Sequence, residues 1–339
     1  MIRVALPLGI IVSALCVIGA TRASLADDYY KDKQITLILG YNPGGGYDLH
    51  ARLVATALPR HLPGNPKIIL RHMPGAGSII AANFLHGQAS DDGLTIGLVG
   101  QQLAVSQALK DQSVRYDLRD FKALGRVAKS VEATIVWHTS PVKTLADAME
   151  RQITLAATSA GSTSHSLPLL VSRITGAKFK LVAGYPGVSG GGLAMERGET
   201  DGAHATVSGL MFSKADWFRD NKISVLVQYS MERDPSLPNA PAMIELGKTL
   251  DDKKILALFA SPAEVGYSFL APPKTPPERV QTMRQSFSRM LDDPAFASEI
   301  KLRNLSFDPL SGEKLQALIV ETLNIDPVLV ERGRVLSRE

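Results

Sequence analysis

Cysteine is nearly absent from this sequence. The chain of 339 residues has one, Cys16, which lies in an apolar N-terminal segment. The rest of the chain therefore has no disulfide, no thiol nucleophile and no cysteine-based metal site. A lipoprotein signal has a small residue before its cysteine, and Leu15 is not small, so we do not expect lipidation. The seven histidines are scattered without the spacing typical of zinc sites, and we expect neither a metal nor a cofactor.

Long apolar runs are absent after the first 26 residues. The chain begins with a positive Arg3, is apolar over residues 4–20 apart from Ser13, and then has small residues up to Ala26. This is the plan of a secretory signal peptide. The apolar run is short for a membrane span, which needs about 20 residues. We predict that residues 1–26 are a signal peptide cleaved near Ala26 and that the protein is periplasmic; a retained membrane anchor is the alternative.

A strong charge of one sign is also lacking. Removal of Arg3 and Arg22 with the signal peptide leaves 35 Lys and Arg against 33 Asp and Glu, a net charge of +2. There is no basic block and no interleaved aromatic stripe, so a nucleic-acid partner is not expected. The length favours two domains, since a domain usually has roughly 100–200 residues.

Short apolar segments alternate with helical ones along the chain, which predicts an α/β fold with mainly parallel sheets. The predicted strands are 34–40, 67–70, 94–99, 133–138, 153–157, 179–182, 224–229 and 266–270. The predicted helices are 48–58, 78–88, a short one after Thr144, 166–175, 193–197, a helical region after the proline-rich stretch 234–241, 278–291, 294–303 and 312–331.

The loop at 41–48, YNPGGGYD, lies between the first strand and the first helix. Its three glycines allow successive backbone N–H groups to turn towards one point, and the helix behind them adds a partial positive charge. Together these features predict an anion site that needs no Lys or Arg. The alternative is a tight turn in which the glycines serve only the geometry. Asp48 is predicted to be the N-cap of the helix, with a ligand contact as the alternative.

Two further loops have similar chemistry. The loop at 73–78, MPGAGS, precedes the second helix, and the loop at 158–165, TSAGSTSH, is rich in hydroxyl groups. Hydroxyl and backbone N–H groups ahead of a helix can donate to an oxyanion. Ser159, Ser162 and His165 are the candidate contacts in the hydroxyl-rich loop. The structural alternative is that these hydroxyls cap the helix or face solvent.

A fourth loop, at 184–192, contains the pattern G-x-S-x-G around Ser189 between a strand and a helix. In a hydrolase this pattern places the nucleophile, and an acid and then a histidine follow later in the chain. Only His204 follows Ser189, and its nearest preceding acid is Asp201. The 15 residues between the serine and His204 are too few to build a separate loop for the imidazole, so we do not expect a catalytic triad.

The segments that contain these loops resemble the periplasmic substrate receptors of tripartite tricarboxylate transporters, also called Bug receptors. The matching segments occur in order along essentially the whole chain after the signal peptide: ITLILGYNPGGGYDLHARLVATAL (35–58), RHMPGAGSIIAANFL (71–85), SAGSTSHSLPLLVSRITGAKFKLVAGYPG (159–187), LAMERGETDGA (193–203), YSFLAPPKTPPERV (267–280) and LDDPAF (291–296). Two departures fall at the expected cleft and leave the ligand's identity open. Gly184-Tyr185-Pro186-Gly187 stands where many members have an aromatic residue followed by Lys-Gly, and Asn42 stands where many have a second proline.

The resemblance implies an α/β two-domain clamshell of the type II-like periplasmic-binding-protein class, with the ligand in the cleft between the domains. The domains would be 27–130 plus 256–339, and 131–255. It implies that backbone N–H groups and waters hold a carboxylate. The implied contacts in the first domain are Tyr41, Asn42, Gly45, Gly46, Asp48, Ala76, Gly77 and Ser78. Those in the second are Ser159, Ser162, Thr163, His165 and His204.

The resemblance also implies a function. The protein would bind a small carboxylated solute as a monomer, without catalysis, and deliver it to integral-membrane transporter subunits. Two alternatives remain open at this point. One is an exported ligand sensor for a signalling receptor, which the sequence does not separate from a transport receptor. The other is a periplasmic enzyme that acts on a small organic acid, for which His165 is the best candidate base.

Overall fold

A computed structural model describes residues 29–160, 162–185 and 187–338, and for residues 187 and 188 it describes the backbone only. The predicted signal peptide at 1–26 lies outside these residues. The strands are β1 Gln34–Leu39, β2 Lys67–His72, β3 Thr95–Leu98, β4 Lys122–Arg126, β5 Glu132–Trp137, β6 Ile153–Ala156, β7 Phe179–Val182, β8 Gly202–Thr206, β9 Ile223–Tyr229, β10 Ser268–Ala271 and β11 Leu310–Ser311.

Helices follow most of these strands. They are α1 Gly46–Ala57, α2 Ile79–Gly87, α3 Leu103–Ala108, α4 Leu145–Glu150, α5 Thr163–Thr175, α6 Gly187–Glu196, α7 Val207–Ser213, α8 Ala215–Arg219, α9 Leu250–Val265, α10 Pro277–Leu291, α11 Pro294–Leu302, α12 Gly312–Leu323 and α13 Pro327–Leu336. Short 3₁₀ turns occur at Leu58–His61, Ala76–Ser78 and Met243–Leu246.

The strands form two separate mixed sheets. The first has the order β11-β4-β10-β3-β1-β2, and the second has the order β7-β6-β8-β5-β9. In the first sheet β1 runs parallel to β2 and β3, whereas β10 runs antiparallel to β3 and β4. In the second sheet β5 runs antiparallel to its neighbours β8 and β9. The α/β prediction is confirmed, but the prediction of mainly parallel sheets is wrong because β5 and β10 return in the opposite direction.

Each sheet is covered by side chains on both faces. In β1, Leu37 and Leu39 pack in one hydrophobic cluster, and Ile38 packs in another on the opposite face. A strand that is buried on both faces reads as a continuous apolar run, which is why ITLIL predicted it correctly. In the second sheet, Val136 and Ile135 likewise point into different clusters.

The chain passes from the first sheet to the second between β4 and β5, and returns between β9 and β10. The last part of the chain covers both sheets. Met283 and Phe287 of α10 pack with the first sheet, whereas Phe259 of α9 and Leu329 of α13 pack in a cluster of the second. The predicted domain limits remain a prediction.

Several segments differ from the sequence-based expectation. The helix predicted at 193–197 begins at Gly187, so Gly190, Gly191 and Gly192 of the fourth loop are helical. The helix predicted at 312–331 is divided into α12 and α13, with Pro327 in the first turn of the second. The strands β4 and β8 were not predicted, because KALGR has no β-branched or aromatic residue and GAHAT has only Thr206.

Candidate functional site

The first glycine-rich loop ends at an uncapped helix. Helix α1 begins at Gly46, its N-cap is Gly45, and no side chain of the described residues caps it. The first N–H groups of a helix have no partner within the helix, so here they are left to solvent or a ligand. The prediction that Asp48 is the N-cap is wrong. Asp48 lies in the first turn of α1, because the helix begins two residues earlier than its sequence indicated.

The carboxylate of Asp48 is hydrogen-bonded to three neighbouring protein groups. Its Oδ2 atom accepts from the N–H of Gly44 at 3.0 Å and from Nε of Arg52 at 2.9 Å, and its Oδ1 atom lies 2.8 Å from Nε2 of His72. Burial opposes ionisation, but the hydrogen bonds from Arg52, Gly44 and His72 outweigh it and lower the pKa of Asp48 to about 2. The charge of Asp48 is therefore balanced by protein groups, which reduces its repulsion of an anion at the loop.

Substitution Asp48→Asn is expected to lower the free energy of unfolding by about 1–3 kcal/mol, because it weakens a buried charged hydrogen-bond network. Urea denaturation at pH 7 measures the loss. Arg52→Gln is the matched control, since it removes only the exposed partner of the network and should cost much less than Asp48→Asn. If Asp48→Asn leaves stability unchanged and abolishes ligand binding, Asp48 is a ligand contact and its structural role is refuted.

The first and second loops, which follow β1 and β2, meet at the end of β1. The side chain of Ser78 packs directly on Gly40, where a Cβ atom would lie 1.7 Å from Ser78 Oγ. The ring of Tyr41 lies 4.2 Å from that of Tyr47, and the Tyr47 hydroxyl accepts from the N–H of Gln101 at 3.1 Å. The loops that follow two neighbouring parallel strands thus form one edge, where α/β proteins usually bind ligands.

Tyr267, the residue just before β10, packs against the first loop. A Cβ atom added to Gly46 would lie only 2.8 Å from the Tyr267 hydroxyl, so any larger residue at 46 would displace this ring. The same hydroxyl lies 2.9 Å from Ser208 Oγ in α7, and the ring of His50 stacks on Tyr267 at 3.7 Å. Gly46 is therefore required by close packing against Tyr267.

The hydroxyl-rich third loop is held by its own hydrogen bonds. The Ser162 hydroxyl donates to the Ser159 carbonyl at 2.7 Å, and Ser164 Oγ accepts from the Thr158 N–H at 3.0 Å. Helix α5 begins at Thr163, and its N-cap residue Ser162 makes no side-chain cap. The alternative that these hydroxyls cap the helix is therefore wrong for Ser162, because its hydroxyl stabilises the loop and does not bond to the first N–H groups of α5.

His204 lies on β8 and is almost fully buried. Its Nε2 atom is 3.2 Å from Oε2 of Glu132, and its ring stacks on Tyr229 with a centroid distance of 5.5 Å. The Nδ1 atom is buried and has no hydrogen-bond partner among the described residues. Buried polar atoms without partners are rare in folded proteins, so this atom is a candidate for a ligand or water contact.

A cavity of about 600 Å³ separates the first loop from the second sheet. Leu49 and Leu305 line it on the first-loop side. The residues predicted from the sequence that line it are Gly45, Gly46 and His204. Those that do not line it are Tyr41, Asn42, Asp48, Ala76, Gly77, Ser78, Ser159, Ser162, Thr163 and His165.

Several cavity residues were not predicted from the sequence. Leu210, Phe212 and Lys214 follow β8, and Trp217 lies on α8. Helix α6 adds Gly192. The apolar run LMF after β8 was a usable signal, but nothing in its spacing separates a cavity wall from an ordinary core.

The family model described as the tripartite tricarboxylate transporter family receptor matches residues 50–333. This chain belongs to that family. A relative from Cupriavidus necator, the "UPF0065 protein in gbd 5'region", is 23% identical over 322 residues, which cover 93% of this chain and 92% of the relative. The resemblance seen in the sequence is thereby confirmed.

Solved structures of similar proteins confirm the fold. The structure of the periplasmic binding protein BugD has a TM-score of 0.67 at 19% identity and covers 91% of this chain and 99% of its own. MatC from Rhodopseudomonas palustris, solved with bound malate, has a TM-score of 0.64 at 20% identity and covers 90% of this chain and 99% of its own. The architecture is that of a two-lobed periplasmic solute-binding protein.

Metal-binding clusters and membrane-spanning helices are both absent from the described residues. No group of three or more His, Cys, Asp or Glu side chains in this part of the chain is arranged to hold a metal ion. No helix that the structure describes combines the length and the apolar character needed to cross a bilayer.

Proposed function

We propose that this protein is the periplasmic receptor of a tripartite tricarboxylate-type transporter. It captures a small carboxylated solute between its two lobes and delivers the solute to the integral-membrane subunits. The observation that carries the proposal is the uncapped N-terminus of α1, which opens through Gly44–Gly46 into the cavity. Helix N-termini bind anions through free N–H groups and the helix dipole.

The proposed binding residues extend beyond the cavity wall. Gly45, Gly46 and His204 contact the ligand from opposite sides, and Ser159, Ser162, Thr163 and His165 approach from the third loop when the lobes close further. Closure of two domains around a ligand is a common motion of such receptors. In this proposal the signal peptide is removed near Ala26, the exported protein is a monomer, and binding involves no chemical change of the solute.

The uncapped helix suits a carboxylate better than a cation or a neutral sugar. Its partial positive charge is fixed by the backbone, and the only nearby carboxylate on the same helix, Asp48, is already paired with Arg52 and His72. Malate bound to MatC shows that a protein of this fold accommodates a carboxylate. The same charge pattern offers nothing to attract a cation at this loop.

The test is a screen of purified residues 27–339 against about fifty small organic acids. Trp217 lines the cavity, and the ring of Trp137 packs on it at a centroid distance of 5.1 Å, so a ligand should alter tryptophan emission as well as raise the melting temperature. Chromatography then checks that the bound acid is unchanged, and uptake of that acid by a deletion strain, with and without the restored gene, tests delivery.

Consumption of the acid would favour the enzyme, and binding without an uptake defect would favour the sensor. If no acid binds protein freed of co-purified ligand, the carboxylate proposal is overturned.

A further inference from the structure

The cavity wall on the side of the second sheet is largely apolar. It contains the side chains of Ile135, Leu193, Leu210, Phe212 and Trp217. Phe212 is 53% exposed and Leu193 is 43% exposed, which makes them two of the more exposed large apolar residues of the described chain. Exposed apolar side chains that gather around a cavity gain free energy when a ligand covers them.

The charges at this end of the cavity cancel. Among the described residues that line it, the only lysine or arginine is Lys214. Its Nζ atom lies 2.9 Å from Oε1 of Glu196, which lines the same cavity, and 4.8 Å from the centre of the Trp217 ring. A second carboxylate on the ligand would therefore meet Glu196 as well as Lys214, and would be desolvated beside apolar rings.

Size leads to the same conclusion. A volume of about 600 Å³ is in the range of pockets that enclose ligands well above the size of a four-carbon diacid. Since an unpaired charge is costly to bury and apolar area is favourable to bury, a ligand that fills this space has its charge at one end.

We infer that the ligand is a monocarboxylate with an apolar body, either a ring or an alkyl chain. Its carboxylate lies at the N-terminus of α1, and its apolar body lies against Phe212, Leu193 and Trp217. This inference rests on the proposed function for the position of the carboxylate. It adds the class of solute and the residues that select it.

The decisive experiment uses matched pairs of acids and isothermal titration of residues 27–339. In the pair 4-methylbenzoate and terephthalate, and in the pair hexanoate and adipate, a methyl group of the first acid is replaced by a second carboxylate. We expect the monoacid of at least one pair to bind at least about tenfold more tightly than its diacid. Equal or tighter binding of both diacids would overturn the inference while leaving the receptor function intact. Binding of other small acids but of neither monoacid would do the same, and a complete lack of acid binding would overturn the proposed function.

Two variants test the residues. Phe212→Ala removes a half-exposed ring and should weaken binding of the preferred monoacid about tenfold without loss of folding. Leu302→Ala, at an exposed position of α11 outside the cavity wall, is the matched control and should bind like the wild type. Leu193→Arg places a free cation at the apolar end and should shift the preference towards the diacid by about tenfold. Wild-type affinity in Phe212→Ala, together with an unchanged preference in Leu193→Arg, contradicts the assignment of this wall.

Discussion

Replacement of Trp217 by alanine is expected to lower the free energy of unfolding by about 3–5 kcal/mol. The side chain is only 2% exposed and meets the ring of Trp137 edge to face at a centroid distance of 5.1 Å. Its removal leaves a space that joins the cavity, and α8, a helix of five residues, has little packing of its own to compensate. Urea denaturation followed by circular dichroism measures the change without relying on tryptophan emission.

Trp217→Phe is the control for this result. A phenyl ring keeps part of the contact with Trp137, so we expect less than half of the loss seen with alanine. The alanine variant should also lose the binding of the preferred acid, because its apolar body packs against this ring in the proposed complex. A loss of stability below about 1 kcal/mol in the alanine variant would mean that the ring is not a packed part of the wall.

The sequence predicted the parts of the fold that depend on local patterns. Strands such as ITLIL are buried on both faces and contain an apolar run, and Thr144 caps α4 as expected, since its hydroxyl accepts from the Asp147 N–H and its own N–H donates to the Asp147 carboxylate. Local patterns did not predict the direction of the strands, because the antiparallel direction of β5 and β10 depends on their pairing with segments that are distant in sequence. The helix from Gly187 was missed because three successive glycines disfavour a helix, and tertiary packing overrides that preference here.

The candidate site divides in the same way. The glycine-rich loop before α1 was predicted from its residues, since the chemistry of that loop is local. The role of Asp48 was not, because its partner His72 is 24 residues away and lies on strand β2. The apolar wall around Phe212 was also missed. Whether an apolar side chain faces a core or a cavity depends on the distant segments that lie opposite it. The sequence around that side chain gives no information about those segments.

The second large effect expected is a pH dependence of stability that arises from His50. This side chain of α1 is fully buried against Tyr267, and its Nδ1 atom lies 2.7 Å from the Gly46 carbonyl oxygen. Burial lowers the pKa of His50 to about 4, from 6.5. Between these values the unfolded chain binds a proton that the folded chain excludes, so stability rises with pH across this window. A change from pH 7 to pH 4 should therefore cost about 3 kcal/mol through this residue.

Urea denaturation of the wild type and of two variants, His50→Gln and His50→Leu, at intervals from pH 7 to pH 4 isolates this contribution. Other groups titrate in all three proteins and cancel in the differences. A purely structural role for His50 would shift the variant curves vertically and leave them parallel to the wild type. A titrating role makes the wild-type curve fall by about 3 kcal/mol more than either variant. Since His50 holds the Gly46 carbonyl behind the uncapped end of α1, its protonation in the folded protein should also disturb the loop, and we expect ligand affinity to fall more steeply near pH 4 in the wild type than in the two variants.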